Sequence, residues 1–253
     1  MFARMFLFEF MDLKWVPPSL RATIHDALDS CLGAAPRRYY DWVAQEVLGL
    51  VERNPAGTIV ELGAGTAPIT RALALALDGR AGISLLVSDL YPDKALYESL
   101  EKMYPGVVRA ELSPTDFSRP MNFPEGSLLV LSAAFHHLHP STRLDVLKTL
   151  SAYRVAVFEP LRRTPASLFL CVFGFVPAIR TPFLFWNRRP GNWRRIFWCW
   201  LFPLATMIIV WDGLVSCLRC WTEKEWKDHL AGVVKEGHPV FVKSEGFNQM
   251  VVW

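Results

Sequence analysis

Four groups of residues in this chain are of types and spacings that could do chemistry. The first is Glu61-Leu62-Gly63-Ala64-Gly65, which follows Thr58-Ile59-Val60 and precedes a helix-like run from Ile69 to Leu77. An apolar run suits a buried parallel strand. Glycine permits a left-handed turn and close approach of a ligand to the backbone. The helix start then offers free N–H groups to a carboxylate or other anion. The second is Asp89, 26 residues after Gly63 at the end of the apolar run Ile83–Ser88. A carboxylate there can accept two hydrogen bonds from a sugar diol, or it can cap the helix beyond Tyr91-Pro92. The third is Asp116 in Ser113-Pro114-Thr115-Asp116-Phe117, a string that is also ordinary turn chemistry. The fourth is Ser132-Ala133-Ala134-Phe135-His136-His137. An imidazole titrating near neutrality can remove an acceptor's proton, or it can simply bond backbone carbonyls at a helix start. Glu159, before Pro160, ends a further apolar run and can face the same region.

These groups need a scaffold that brings distant strand ends together. From Thr58 onward apolar runs alternate with helical patterns, which predicts βαβ units and a parallel sheet. The expected strands are Thr58–Leu62, Ile83–Ser88, Val107–Leu112, Ser127–Ser132 and Arg154–Phe158. The expected helices between them are Ile69–Leu77, Asp93–Met103 and Ser141–Tyr153, with another opening at Thr222. Two short runs, Pro239–Lys243 and Gln249–Trp253, close the chain around Gly246. A dinucleotide fingerprint would need glycine at position 68, which is Pro68, so a nicotinamide cofactor is disfavoured.

Glu61-Leu62-Gly63-Ala64-Gly65, with Asp89 downstream, resembles motif I and the following acidic position of the class I S-adenosylmethionine (SAM)-dependent methyltransferases. It departs from the common pattern at Ala67, where a third glycine often sits. The resemblance covers residues 58–160 and the closing hairpin. It implies an α/β, Rossmann-like, seven-stranded, mostly parallel sheet with an antiparallel C-terminal strand. It also implies S-adenosyl-L-methionine as cofactor, held by Glu61, Gly63, Ala64, Gly65, Asp89 and its neighbour Leu90. Leu112 and Asp116 would receive the adenine. Ser132 and Phe135 would lie near the sulfonium, where an aromatic ring can make a cation–π contact. His136 or His137 would be the acceptor-side base, although methyl transfer can need little beyond alignment.

The remainder of the chain falls outside the resemblance. Residues 1–55 read as an N-terminal helical cap, with Phe6, Phe8, Phe10, Leu13 and Trp15 forming an aromatic face. Residues 56–164 are the expected cofactor-binding core, 165–220 an apolar helical insertion, and 221–253 the segment that completes the core. The chain is 52% hydrophobic with ten tryptophans, and its net charge of +3 is too even to indicate nucleic acid. Cysteines 31, 171, 199, 217 and 220 form no zinc pattern, and their odd number argues against a disulfide framework, so no metal is expected. The opening Met1–Phe6 is not expected to be a signal peptide, since Glu9 and Asp12 interrupt the apolar run. Two apolar runs, Ala166–Trp186 and Ile196–Leu218, approach the length of a bilayer span. Pro177, Arg180, Pro182, Pro203 and Asp212 interrupt them, and Arg188, Arg189, Arg194 and Arg195 lie in the loop between. A spanning hairpin would carry four arginines across, against the positive-inside rule. The expectation is therefore a hairpin in one leaflet with the catalytic domain on the cytoplasmic side, the competitors being a buried subdomain and a self-association surface. The expected activity is methyl transfer to a lipophilic small molecule such as a lipid, quinone, isoprenoid or polyketide. The alternatives are another SAM-dependent group transfer, or a non-catalytic membrane adaptor.

Overall fold

The computed structural model describes residues 4–33, 38–77, 82–186, 191–234 and 239–253. The chain divides into two compact units, residues 40–160 with 221–253 and residues 1–39 with 161–220.

The first unit is built on a seven-stranded sheet. Its strands are β1 (Thr58–Leu62), β2 (Ser84–Ser88), β3 (Val108–Ala110), β4 (Leu128–Ser132), β5 (Arg154–Glu159), β6 (Phe241–Glu245) and β7 (Asn248–Val252). Their spatial order is β3-β2-β1-β4-β5-β7-β6. The pairs from β3 through β5 are parallel, and β7 runs antiparallel to both β5 and β6. The four residues Ile59–Leu62 of β1 and Leu128–Leu131 of β4 are all buried, as strands covered on both faces require. Strand order reverses between β1 and β4, which makes the carboxyl ends of β1, β2, β4 and β5 the natural crevice for a ligand. The helices of this unit are α2 (Tyr39–Arg53), α3 (Pro68–Leu77), α4 (Lys94–Met103), α5 (Pro140–Leu150) and α10 (Glu223–Ala231). A capping box in which Thr222 and Glu225 exchange bonds starts α10. Trp226 and Trp253 lie in the core with Val60, Leu129, Leu131 and Val157. Strand β3 is shorter than its apolar run, because the chain leaves the sheet after Ala110 to form the loop that follows.

The second unit is helical: α1 (Pro18–Gly33), α6 (Pro165–Val172), α7 (Phe175–Leu184), α8 (Asn192–Ile196) and α9 (Leu204–Arg219). Within it α1 packs on α7 and α9, and α6 packs on α9. Gly174 divides α6 from α7, and a Cβ there would meet Ile209 Cγ2 at 3.2 Å and Cys171 O at 3.0 Å. Residues 4–9, expected to be helical, are irregular, and only Phe10–Asp12 forms a single 3-10 turn. The physical reason lies in the hydrogen bonding. Asp212 accepts from Phe10 N (2.9 Å) and Met11 N (3.2 Å), and Arg219 Nε donates to Leu7 O (2.9 Å). Side chains of α9 thus satisfy backbone groups that a helix would pair internally. Among the described residues no single helix is long and apolar enough to cross a membrane; α6 with α7, and the stretch Asn192–Leu201 that begins with α8 together with α9, form bent pairs, at 45° and 73°. Arg188 and Arg189 lie outside the described residues.

Candidate functional site

The turn after β1 takes the left-handed conformations that its glycines permit, with φ of 75° at Gly63 and 55° at Gly65. Ala67, at the position of the missing third glycine, is left-handed too, at φ 51°. A Cβ on Gly63 would lie 3.0 Å from the Ala134 methyl, which would have to give way, and in ordinary contact with Phe117 Cε1 at 3.7 Å. The turn's own N–H groups are already used. Gly63 N and Ala64 N donate to Ser88 O (3.1 and 3.0 Å), and Gly65 N donates to Asp89 Oδ2 (2.8 Å).

Glu61 is buried beneath this turn, where Oε2 accepts from Thr70 N (2.9 Å) and from the Thr70 hydroxyl. Removal from water raises its pKa from 4.5 to about 7, despite the bonds from Thr70. The start of α3, read from the sequence as open to an anionic ligand, therefore already holds a carboxylate of the chain itself. Asp89 is held at both oxygens, Oδ2 by Gly65 N and Oδ1 by Tyr91 N (2.7 Å). Each oxygen keeps a further lone pair for a ligand hydroxyl. Leu90 beside it is exposed. Tyr97 is buried and its hydroxyl donates to Gly65 O (3.1 Å), which ties α4 to the turn.

The loop after β3 returns to this crevice, because Thr115 N donates to Asp89 O (2.8 Å). Leu112 and Asp116 both lie on that loop, half-buried. Asp116 Oδ1 accepts from Ser118 N (3.0 Å) and the Ser118 hydroxyl (2.5 Å), and Oδ2 pairs with Arg119 (3.1 Å). Its carboxylate is engaged by its own turn. Phe117, which the sequence reading did not single out, is the residue that reaches the glycine turn.

At the tip of β4, Ser132 pairs with Phe158, and Ala133 turns left-handed at φ 51° with its N–H on Phe158 O (2.8 Å). A single 3-10 turn, Phe135–His137, follows. Glu159, at the tip of β5, accepts from His136 N at Oε1 (3.1 Å) and from His136 Nδ1 at Oε2 (2.6 Å). Both side chains are buried. A carboxylate on Nδ1 puts the proton there and leaves Nε2 with a lone pair. The His137 ring lies 4.3 Å from that of His136, centroid to centroid. Arg143, also buried, donates from Nη2 to His136 O (2.8 Å) and from Nε to Leu138 O (2.9 Å), fixing the turn from below. Phe135 stands apart from the other predicted residues: it is 1% exposed and packs on Trp221 and Trp226, with centroids 5.1 and 4.6 Å away. Its ring is part of the core.

The donor set also selects among ligands. The Asp89 carboxylate at the end of β2 and a turn whose N–H groups are internally paired are poorly suited to a polyphosphate, which needs open N–H groups and cations. A sugar diol carried by a cationic ligand fits the same groups, and S-adenosyl-L-methionine has both.

No family model matches the chain, and no curated protein sequence does. Solved structures do. The DszA carbon methyltransferase is 12% identical with a TM-score of 0.55, over 92% of this chain and 65% of its own. The CurJ carbon methyltransferase is 10% identical with a TM-score of 0.53, over 88% of this chain and 56% of its own. A SAM-dependent methyltransferase from Aquifex aeolicus is 14% identical with a TM-score of 0.51, over 89% of this chain and 96% of its own. The chain thus spans little more than half the length of the CurJ protein and about two thirds of the DszA protein. It has the fold of the class I SAM-dependent methyltransferases.

Proposed function

We propose that this protein is a SAM-dependent methyltransferase that acts on a lipophilic small molecule at a membrane surface. One observation carries the reading: an Asp89 carboxylate held by the glycine turn, in the same strand-end crevice as a buried His136–Glu159 pair. Asp89 accepts from the two ribose hydroxyls. Glu61 does not touch the ligand but fixes the start of α3 through Thr70. Bound cofactor supplies an electrophilic methyl group. His136 Nε2 takes the proton that the acceptor's O–H, N–H or C–H loses as its new bond to carbon forms. Glu159 stabilises the resulting imidazolium and holds the ring in the tautomer that can act. His137, stacked on His136, is the other candidate base. The lipophilic acceptor is supported by the chain's large share of exposed aromatic and aliphatic surface.

Calorimetric titration with S-adenosylhomocysteine tests the cofactor reading. The wild-type protein is expected to bind it. Asp89→Ala should lose about tenfold or more in affinity, since bonds to a charged acceptor contribute ~1.5–3 kcal/mol each. Failure of the wild-type protein to bind would overturn the proposal.

A further inference from the structure

We infer that the described part of the helical unit, residues 4–33, 161–186 and 191–220, forms a docking surface for one leaflet of an anionic bilayer. This deepens the membrane part of the proposed function and rests on it, but not on methyl transfer. Charge is the first argument. This unit carries thirteen Lys and Arg against five Asp and Glu, a net of +8, while the rest of the chain carries fourteen against nineteen, a net of −5. At least four of the five acidic groups are engaged inside the unit. Glu9 and Asp12 pair with Arg219 (3.0 and 2.8 Å), Asp26 pairs with Arg194 and Arg195 (2.9 and 2.8 Å), and Asp212 accepts the two backbone N–H groups already described. Lys14 and Arg180 are exposed.

The second argument is the apolar surface. Trp15, Phe169, Phe183, Trp193, Leu201 and Met207 are between 63% and 70% exposed. On α9 the outward stripe Leu204–Met207–Trp211 is apolar although Ala205, Ile208 and Ile209 already fill the inner face. A water-facing helix places polar residues there. Two of the exposed indoles spend their N–H groups on the unit's own backbone: Trp200 Nε1 donates to Ile179 O (2.9 Å) and Trp211 Nε1 to Phe8 O (3.0 Å). What they present outward is hydrocarbon. Arg180 lies beside Ile179 on α7, where its stem can follow the apolar surface while its guanidinium reaches phosphate.

The third argument is geometry. The two apolar helix pairs are bent by 45° and 73°, and no helix among the described residues reaches spanning length. Broken apolar pairs with a basic balance suit insertion to the depth of the acyl boundary, where apolar burial and attraction to anionic headgroups add.

The test is flotation of the full-length protein with vesicles of phosphatidylcholine alone, and with vesicles in which about a third of the lipid is phosphatidylserine. Binding to the anionic vesicles, weakened by salt, is expected. Phe183→Glu with Met207→Glu should reduce it at least about tenfold. Lys14→Glu with Arg180→Glu should abolish the preference for phosphatidylserine but leave apolar binding. S-adenosylhomocysteine affinity measured in the same variants should be unchanged, which shows that they are folded. Equal binding to both vesicle types would overturn the anionic assignment. Absence of vesicle binding with concentration-dependent self-association would replace the bilayer with a second copy of the chain. Labelling of an Asn192→Cys variant by an impermeant maleimide from outside intact cells would establish spanning and overturn the one-leaflet geometry. Loss of S-adenosylhomocysteine binding with vesicle binding intact would count against methyl transfer and not against this surface.

Discussion

At the scale of single residues, Glu61 is a carboxylate whose surroundings oppose its charge. It lies beneath the glycine turn, and burial raises its pKa to about 7 from an ordinary 4.5. Between those values the folded protein holds a proton that the unfolded chain has released. Stability conferred by the protonated form is therefore complete below about pH 4.5 and is lost as pH rises toward 7. The whole shift corresponds to something on the order of 3 kcal/mol. Glu61→Gln removes the titration while keeping an oxygen that can accept from Thr70. Urea unfolding at about pH 5 and about pH 8 should show the wild type losing stability across that interval more steeply than the variant. Parallel pH dependences would show that Glu61 ionises normally. Asp89, 24 residues from Gly65, has the other kind of environment: two backbone donors hold it at the edge of the crevice. Of these two carboxylates, one is structural and the other is available to a ligand.

At the scale of elements, the turn after β1 and the turn after β4 approach closely. Gly63 and Gly106 have nearly the same φ, 75° and 77°, but a Cβ at Gly106 would meet nothing within 4 Å. Alanine at Gly106 should therefore cost only the left-handed conformation, about 1 kcal/mol. Alanine at Gly63 should cost distinctly more, because the Ala134 methyl at 3.0 Å has to move, and it should weaken S-adenosylhomocysteine binding where Gly106→Ala does not. Thermal melts of the two variants give the comparison, and equal losses would mean that the two loops do not press on each other. The strands were legible because apolar runs ended by Glu61, Asp89, Ser132 and Glu159 are a local signal. Other features have no local signal. The left-handed backbone at Ala67 and Ala133 carries no glycine to announce it. The bonds that pair Glu159 with His136 join residues 23 apart, across neighbouring strand ends, and depend on strand order. The irregular N-terminal segment is set by Asp212 and Arg219, some 200 residues away, so its aromatic spacing alone could not reveal its path.

At the scale of the whole molecule, the chain passes between two units of opposite net charge, and each has its own means of cohesion. The sheet unit has a core of aliphatic strands and tryptophans. The helical unit relies in addition on buried ion pairs that join its two distant stretches of chain. Arg219, 1% exposed, pairs with Glu9 (3.0 Å) and Asp12 (2.8 Å), and its guanidinium lies 4.3 Å from the centre of the Phe6 ring. Glu9 is equally buried, and Ser216 donates to its Oε1 (3.1 Å). Removing one member of such a pair leaves a charge in a place without water, at a cost of about 3–5 kcal/mol. Arg219→Met should impose that cost, whereas Arg219→Met with Glu9→Gln should recover a large part, because the fully buried carboxylate is then neutral and only Asp12, which reaches water, is left charged. The loss should also be local. Hydrogen exchange should show amides of α1 and α9 losing protection in Arg219→Met while those of β1, β4 and β5 keep theirs, as expected of separate cooperative units. Equal loss of protection throughout would show that the molecule unfolds as one body. A double variant no better than the single would show that packing of the arginine stem, and not its charge, holds the N-terminal segment in place.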